Sequence, residues 1–205
     1  DEGLSEGLRE IVSEWRNRDR LPRGMRPTNR VLMTGPPGCG KTMAANALAR
    51  TLGMKMAYVR LDGLISQYMG QTGSNLRVVF DSVRGGGTLL FIDEFDAVGK
   101  TRADPADMGE SKRILTVLLQ NMDMMDDRVL LVAATNMPDL LDPAVLRRFD
   151  VTLRFGLPDR SGRERLIGML ASRYGLSNWY DPDSFAACTE GMSYAEVETA
   201  FESGV

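Results

Sequence analysis

Lys41 and Thr42 follow Gly35-Pro36-Pro37-Gly38-Cys39-Gly40, completing the pattern G-x-x-x-x-G-K-[ST]. Each residue type there answers a need of phosphate binding. Glycines let successive backbone N–H groups curl round a phosphate, and the N-terminus of a following helix adds positive potential. A lysine at that spacing reaches the β- and γ-phosphates, and a threonine hydroxyl ligates Mg2+. A Gly/Pro turn that carries Lys-Thr by chance is the competing reading. An apolar strand at 31–34 precedes the loop and an Ala-rich helix running to Gly53 follows it, which is the context the chemistry demands. The stretch reads as a nucleoside triphosphate site.

A second set of residues supplies acid–base chemistry. The apolar run at 88–92 ends in Asp93 and Glu94. In a doubly wound sheet that edge binds ligands, so Asp93 is placed to hold Mg2+ and Glu94 to polarise a water for attack on the γ-phosphate. Asn136 ends another apolar strand, Ala133-Ala134-Thr135, and is placed to orient the same water. Arg147 and Arg148 are far along the chain from the loop; a finger offered to a neighbouring subunit competes with an ordinary surface ion pair. The chain has no histidine, so general acid–base work falls to carboxylates, Lys, Cys or metal-bound water. The Asn-Lys-x-Asp base-reading motif of small GTPases is absent, and small-molecule kinases usually lack the Glu after the Asp. Hydrolysis of ATP is the better reading.

The elements that must carry these residues follow from pattern. Strands are expected at 56–61, 88–93, 129–135 and 151–155 besides the first, with helices between them, over 75–83 and 114–122 among others. Near-continuous apolar strands alternating with helices mean a parallel sheet covered on both faces. Residues 62–74, with Tyr68, Met69, Gly70 and Gly73, and residues 100–109 read as loops. Leu4, Leu8, Ile11, Val12 and Trp15 recur at helical spacing, giving an amphipathic helix over 4–17. From Arg9 to Arg30 seven arginines face three acids, and this segment reads as a solvated linker or subunit contact. From Asp159 onward only helices are expected, with Asp181-Pro182 as a cap and Ser193 with Glu196 as a capping box. The fold class is therefore α/β, a phosphate-loop doubly wound five-stranded parallel sheet followed by a small helical lobe. Its domains are a helix and basic linker at 1–29, a nucleotide-binding domain at 30–156 and a lobe, expected to be incomplete, at 157–205.

Composition agrees with a globular protein, 43% hydrophobic and 26% charged. The net charge of −3 argues against nucleic acid as the partner. No apolar run approaches a membrane span. Two cysteines are too few for a disulfide scaffold, and Cys39 inside the loop calls for a reducing compartment, so a cytoplasmic location is expected. Alkylation of Cys39 is expected to obstruct the phosphates. The chain opens at Asp1, not Met, which suggests part of a longer protein.

Taken together, GPPGCGKT, LLFIDEFD, AATN and LDPAVLRRFD resemble the Walker A, Walker B, sensor 1 and arginine-finger segments of the AAA family of ATPases, in order and spacing, from about Arg30 to Ala200. The resemblance implies a homo-oligomer, a hexameric ring, with ATP and Mg2+ at each subunit interface. Its nucleotide contacts would come from Gly35 through Met43, Asp93 and Ala195, with Arg148 favoured over Arg147 as the finger. Tyr68-Met69-Gly70 falls where the family has its pore loop, which implies a polypeptide substrate drawn through a central channel. An ATP-dependent switch that regulates a partner such as a protease or nuclease without threading is the alternative, and a nucleic-acid motor or clamp loader a third reading. The chain departs from the family in two places. Arg147 and Arg148 are adjacent where the family separates them, and Tyr194 stands where the family has a small Gly.

Overall fold

The strands are apolar along nearly their whole length because both faces of the sheet are covered. The computed structural model describes residues 2–22, 24–66, 71–100, 108–176 and 181–204. In chain order the elements are α1 (Glu2–Arg16), β1 (Arg30–Thr34), α2 (Lys41–Leu52), β2 (Lys55–Arg60), α3 (Leu61–Ser66), α4 (Thr72–Ser82), β3 (Thr88–Asp93) and α5 (Ala97–Lys100). There follow α6 (Met108–Asp123), β4 (Leu130–Thr135), α7 (Pro143–Leu146), β5 (Val151–Arg154), α8 (Arg160–Tyr174), α9 (Pro182–Cys188) and α10 (Tyr194–Ser203).

All five strands are parallel, in the order β2-β3-β4-β1-β5. Thr34 pairs with Thr135 and Ile92 with Ala133, so β1, β3 and β4 end level at one edge. β4 thus lies between the strand before the loop and the strand that carries the carboxylates, an order that no sequence pattern reveals. On one face Leu32, Leu90, Ile92 and Leu131 are buried with Leu76 and Phe80 of α4 and Leu118 and Met122 of α6. Val31, Met33, Phe91 and Val132 alternate to the other face and are equally buried. Trp15 of α1 donates from Nε1 to Thr28 O at 2.6 Å, and Glu14 accepts from Thr28 N at 2.7 Å, which fixes the approach to β1.

Three expectations need correction. Leu61 opens α3 and does not end β2. Gly73 is buried in the first turn of α4, not in a loop, and Met108 and Gly109 are already helical. The short helices α3 and α5 were not expected at all, since four to six residues carry too little periodicity to be read. Tyr68, Met69 and Gly70 lie outside the described residues.

The chain divides into two compact units, Asp1–Thr34 with Thr42–Arg154, and Gly35–Lys41 with Phe155–Val205. The second unit has its own core of Ile167, Leu170, Ala171, Ala186, Val197 and Phe201. There the buried Arg163 guanidinium donates to Pro158 O and Ala186 O at 3.1 Å each, tying α8 to α9.

Candidate active site

The loop Gly35–Lys41 is shaped from within and by the helical unit. Lys41 is buried, and its Nζ donates to Gly35 O at 2.6 Å and Pro36 O at 2.8 Å. These partners are neutral carbonyls, which a phosphate oxygen can replace with a charge-assisted bond. Gly38 has φ +73°, and a Cβ there would meet Ser193 Oγ at 2.7 Å and Ala195 Cβ at 2.9 Å. Its carbonyl accepts from Ala195 N at 3.2 Å, so Ala195 touches the loop directly. Cys39 is buried, with Sγ 3.7 Å from Pro37 O.

Ser193 caps α10. Its Oγ accepts from Glu196 N at 3.3 Å, and Glu196 Oε2 accepts from Ser193 N at 2.7 Å, the expected reciprocal box. The bond from Ser193 N, and a second from Ser193 Oγ to Glu196 Oε2 at 2.8 Å, hold the Glu196 carboxyl below its ordinary range. Tyr194 is accommodated by a second glycine. A Cβ on Gly162 of α8 would lie 2.8 Å from the Tyr194 hydroxyl, so smallness absent at 194 is present at 162.

In the other unit, Thr42 and Met43 are exposed on the first turn of α2. Asp93 ends β3, and Glu94 follows with φ +53°, the one positive-φ residue other than glycine among the described residues. A left-handed residue of this kind is held against roughly 1–3 kcal/mol of strain. The holding bonds are visible. Asp93 Oδ1 accepts from Glu94 N at 2.9 Å, Phe95 N donates to Ala134 O at 2.9 Å, and Ala97 N donates to Glu94 O at 2.9 Å. Thr135 Oγ1 donates to the buried Asp96 Oδ1 at 2.9 Å and accepts from Met137 N at 3.0 Å. The turn after β3 is thereby stitched to the end of β4, and Asn136 and Glu94 belong to one braced platform. Sequence reasoning missed Asp96 as a brace, as it missed Tyr58, whose hydroxyl donates to Asp93 Oδ2 at 3.0 Å.

Arg147 and Arg148 stand elsewhere. Asp150 N donates to Arg30 O at 2.9 Å, and Asp150 Oδ2 accepts from Asn29 N and Arg30 N at 3.0 Å, just before β5 begins. The two arginines therefore lie at the N-terminal edge of the parallel sheet, opposite the edge that carries Asp93 and Glu94. Arg148 grips Asp123 with two bonds of 3.2 and 3.1 Å and donates to Ala144 O at 2.9 Å. Arg147 is exposed.

Among the described residues no group of three or more His, Cys, Asp or Glu side chains is arranged to hold a metal ion. The candidate protein donors are the Thr42 hydroxyl and the Asp93 carboxylate, both hard oxygens. So sparse a set fits Mg2+, which keeps several waters and completes its shell with substrate phosphates. Gly40, with φ +91°, has nothing within 4 Å of where a Cβ would be.

Such a sheet, with a glycine-rich loop between β1 and α2 and carboxylates at the same edge, defines a phosphate-loop nucleotide-binding protein. Comparison with known proteins narrows the class. The family model "ATPase family associated with various cellular activities (AAA)" matches residues 31–157. An AAA family ATPase of Sinorhizobium fredii, y4kL, is 38% identical over 92% of this chain and 57% of its own length. A proteasome-activating nucleotidase of Pyrococcus abyssi is 38% identical over 97% of this chain and 54% of its own. The ATP-dependent zinc metalloprotease FtsH 3 of Sphaerobacter thermophilus is 37% identical over 94% and 41%. Among solved structures, the FIGL-1 AAA domain in complex with ADP superposes with a TM-score of 0.78 at 29% identity, over 96% of this chain and 67% of that one. The chain belongs to the AAA family of ATPases. It spans about half the length of the curated relatives it matches.

Proposed function

We propose that the protein binds ATP at the loop from Gly35 to Thr42, hydrolyses it with Glu94 as the water-activating carboxylate, and couples turnover to remodelling of a polypeptide in a hexameric ring. The observation that carries the hydrolytic reading is the left-handed, braced Glu94 at the end of β3. Strain of this kind persists where function requires a side chain to be presented in one direction. In this mechanism Lys41 moves from the loop carbonyls to the β/γ-phosphates, Glu94 takes the proton of the attacking water, and Asn136 orients that water. Thr42 and Asp93 would hold Mg2+, which would supply charge neutralisation at the phosphate oxygens. Arg148 or Arg147 completes the site of the next subunit.

Two relatives are named for proteolysis, as a proteasome-activating nucleotidase and an ATP-dependent protease. Those names support a protein as the substrate here, gripped by Tyr68-Met69-Gly70 in a central channel. No helix among the described residues is long and apolar enough to cross a membrane, and a cytoplasmic setting is part of the proposal.

Glu94→Gln tests the chemistry. It should bind ATP as tightly as wild type while turnover falls by more than about tenfold, ~1.4 kcal/mol of barrier; a smaller fall assigns water activation elsewhere. Tyr68→Ala tests the coupling, since ATPase should survive it while processing of an unfolded protein is lost. Processing that persists favours a switch acting on a partner effector without threading.

A further inference from the structure

Tyr58 lies on β2 opposite Phe91 of β3, two residues before Asp93 on that strand. Residues two apart on a strand share a face, so the Tyr58 ring runs along the sheet from Phe91 toward Asp93. The ring stacks on buried Phe91 with centroids 5.6 Å apart and planes 28° from parallel. Its hydroxyl then reaches Asp93 Oδ2 at 3.0 Å, while Oδ1 accepts from Glu94 N. Both carboxylate oxygens are thus held, one by backbone and one by a side chain.

The cation nearest in register does not compete. Arg60 pairs with Asp93 across the strands, yet its guanidinium is turned to Asp62, at 3.3 Å from Nε and 2.7 Å from Nη2. Among the described residues Tyr58 is the one side chain that donates to Asp93, and no ion pair neutralises that carboxylate. Its negative charge remains available to a cation, with its orientation set by a neutral donor.

We propose that Tyr58 is a positioning residue, its hydroxyl fixing the Asp93 carboxylate in the orientation that receives the divalent ion of the metal–nucleotide complex. Hydrogen-bond partners of ligating carboxylates tune metal affinity, and their loss typically weakens it about 10–100-fold. The inference rests on the reading of Asp93 as a metal-holding residue, and the experiment separates the two.

Tyr58→Phe keeps the ring on Phe91 and removes only the donor. Mn2+ serves as probe, its binding to the protein–ADP complex followed by electron paramagnetic resonance, with ADP affinity in EDTA and the thermal midpoint measured alongside. Tyr58→Phe should weaken Mn2+ binding about tenfold or more and leave metal-free ADP affinity and the midpoint unchanged. Asp93→Asn should weaken Mn2+ at least as much. If Asp93→Asn has that effect and Tyr58→Phe does not, the positioning role is overturned and the site reading stands. If neither variant changes Mn2+ binding, both fall. If Tyr58→Phe lowers metal-free ADP affinity to the same extent, the residue is structural and the proposal is overturned.

Discussion

Cys39 puts a thiol inside the phosphate loop, where an alkyl group would obstruct the substrate, but the fold shields it. The residue is 4% exposed, and burial pushes its thiol above the usual value of 9.0, with Lys41 opposing that shift and Glu196 adding to it. Only the thiolate attacks a maleimide, so reaction is slow at neutral pH and quickens as the pH climbs past 9. Peptide mass spectrometry should find Cys39 alkylated at least about tenfold more slowly than exposed Cys188 at neutral pH. The gap should narrow in alkali, and ADP should slow Cys39 further. Equal neutral rates would mean that the loop opens readily. The same contrast of local and distant partners decides what could be read in advance. Lys41, Thr42, Asp93 and Glu94 could be nominated from the sequence because the patterns that single them out lie within a few neighbouring residues. Tyr58 with Asp93 and Asp96 with Thr135 were not, because 35 and 39 residues separate the partners and only strand order joins them.

Among the elements, α10 couples the helical unit to the loop. Ser193 begins the helix and its Oγ would lie 2.7 Å from a Cβ on Gly38, so losing the cap loosens the helix end that the loop leans on. Ser193→Ala should destabilise α10 by about 1 kcal/mol, read as roughly fivefold faster amide exchange in its first turns; unchanged exchange would mean that packing of Val197 and Phe201 holds the helix without its cap. The effect should depend on pH. Glu196 has a folded pKa held below its unfolded one, so its contribution is full above the unfolded value near 4.5 and fades as pH falls through the folded value. The gap between wild type and variant should therefore narrow in acid, where the Ser193 Oγ–Glu196 carboxylate bond weakens, without closing, because Ser193 Oγ still caps Glu196 N. This box was legible, being four residues with a fixed spacing, and so were all five strands to within a residue. The sheet order was not, nor the crossing of Gly35–Lys41 into the company of Phe155–Val205, because both depend on contacts between segments far apart in the chain.

For the whole molecule the position of the arginines is decisive. They lie at the N-terminal edge of the sheet and the carboxylates at the C-terminal edge, a separation of roughly 17 Å for a five-residue strand. Such a distance is beyond a side chain of the same subunit, so any catalytic use of them must serve a neighbour. Arg148 meanwhile pairs with Asp123, with the two side chains 31% and 49% exposed. A pair that open to water is worth about 0–1 kcal/mol, far less than the 10³–10⁵-fold rate gain of a finger. The ion pair therefore does not disqualify Arg148, whose place is fixed by buried Phe149 and by Asp150 bonded to β1. Arg148→Ala should leave nucleotide affinity of an isolated subunit nearly intact and lower turnover of the assembled ring by about 10³-fold or more, with Arg147→Ala showing the smaller defect. Asp123→Ala separates the two roles of Arg148. If the residue matters only through its own ion pair, Asp123→Ala reproduces the Arg148 defect; if it reaches across, Asp123→Ala keeps its activity. Mixing Arg148→Ala with Lys41→Ala subunits should restore part of the turnover, because some interfaces then pair an intact Lys41 with an intact Arg148. Dead mixtures in well-formed rings, or a larger loss at Arg147, would move the finger off Arg148.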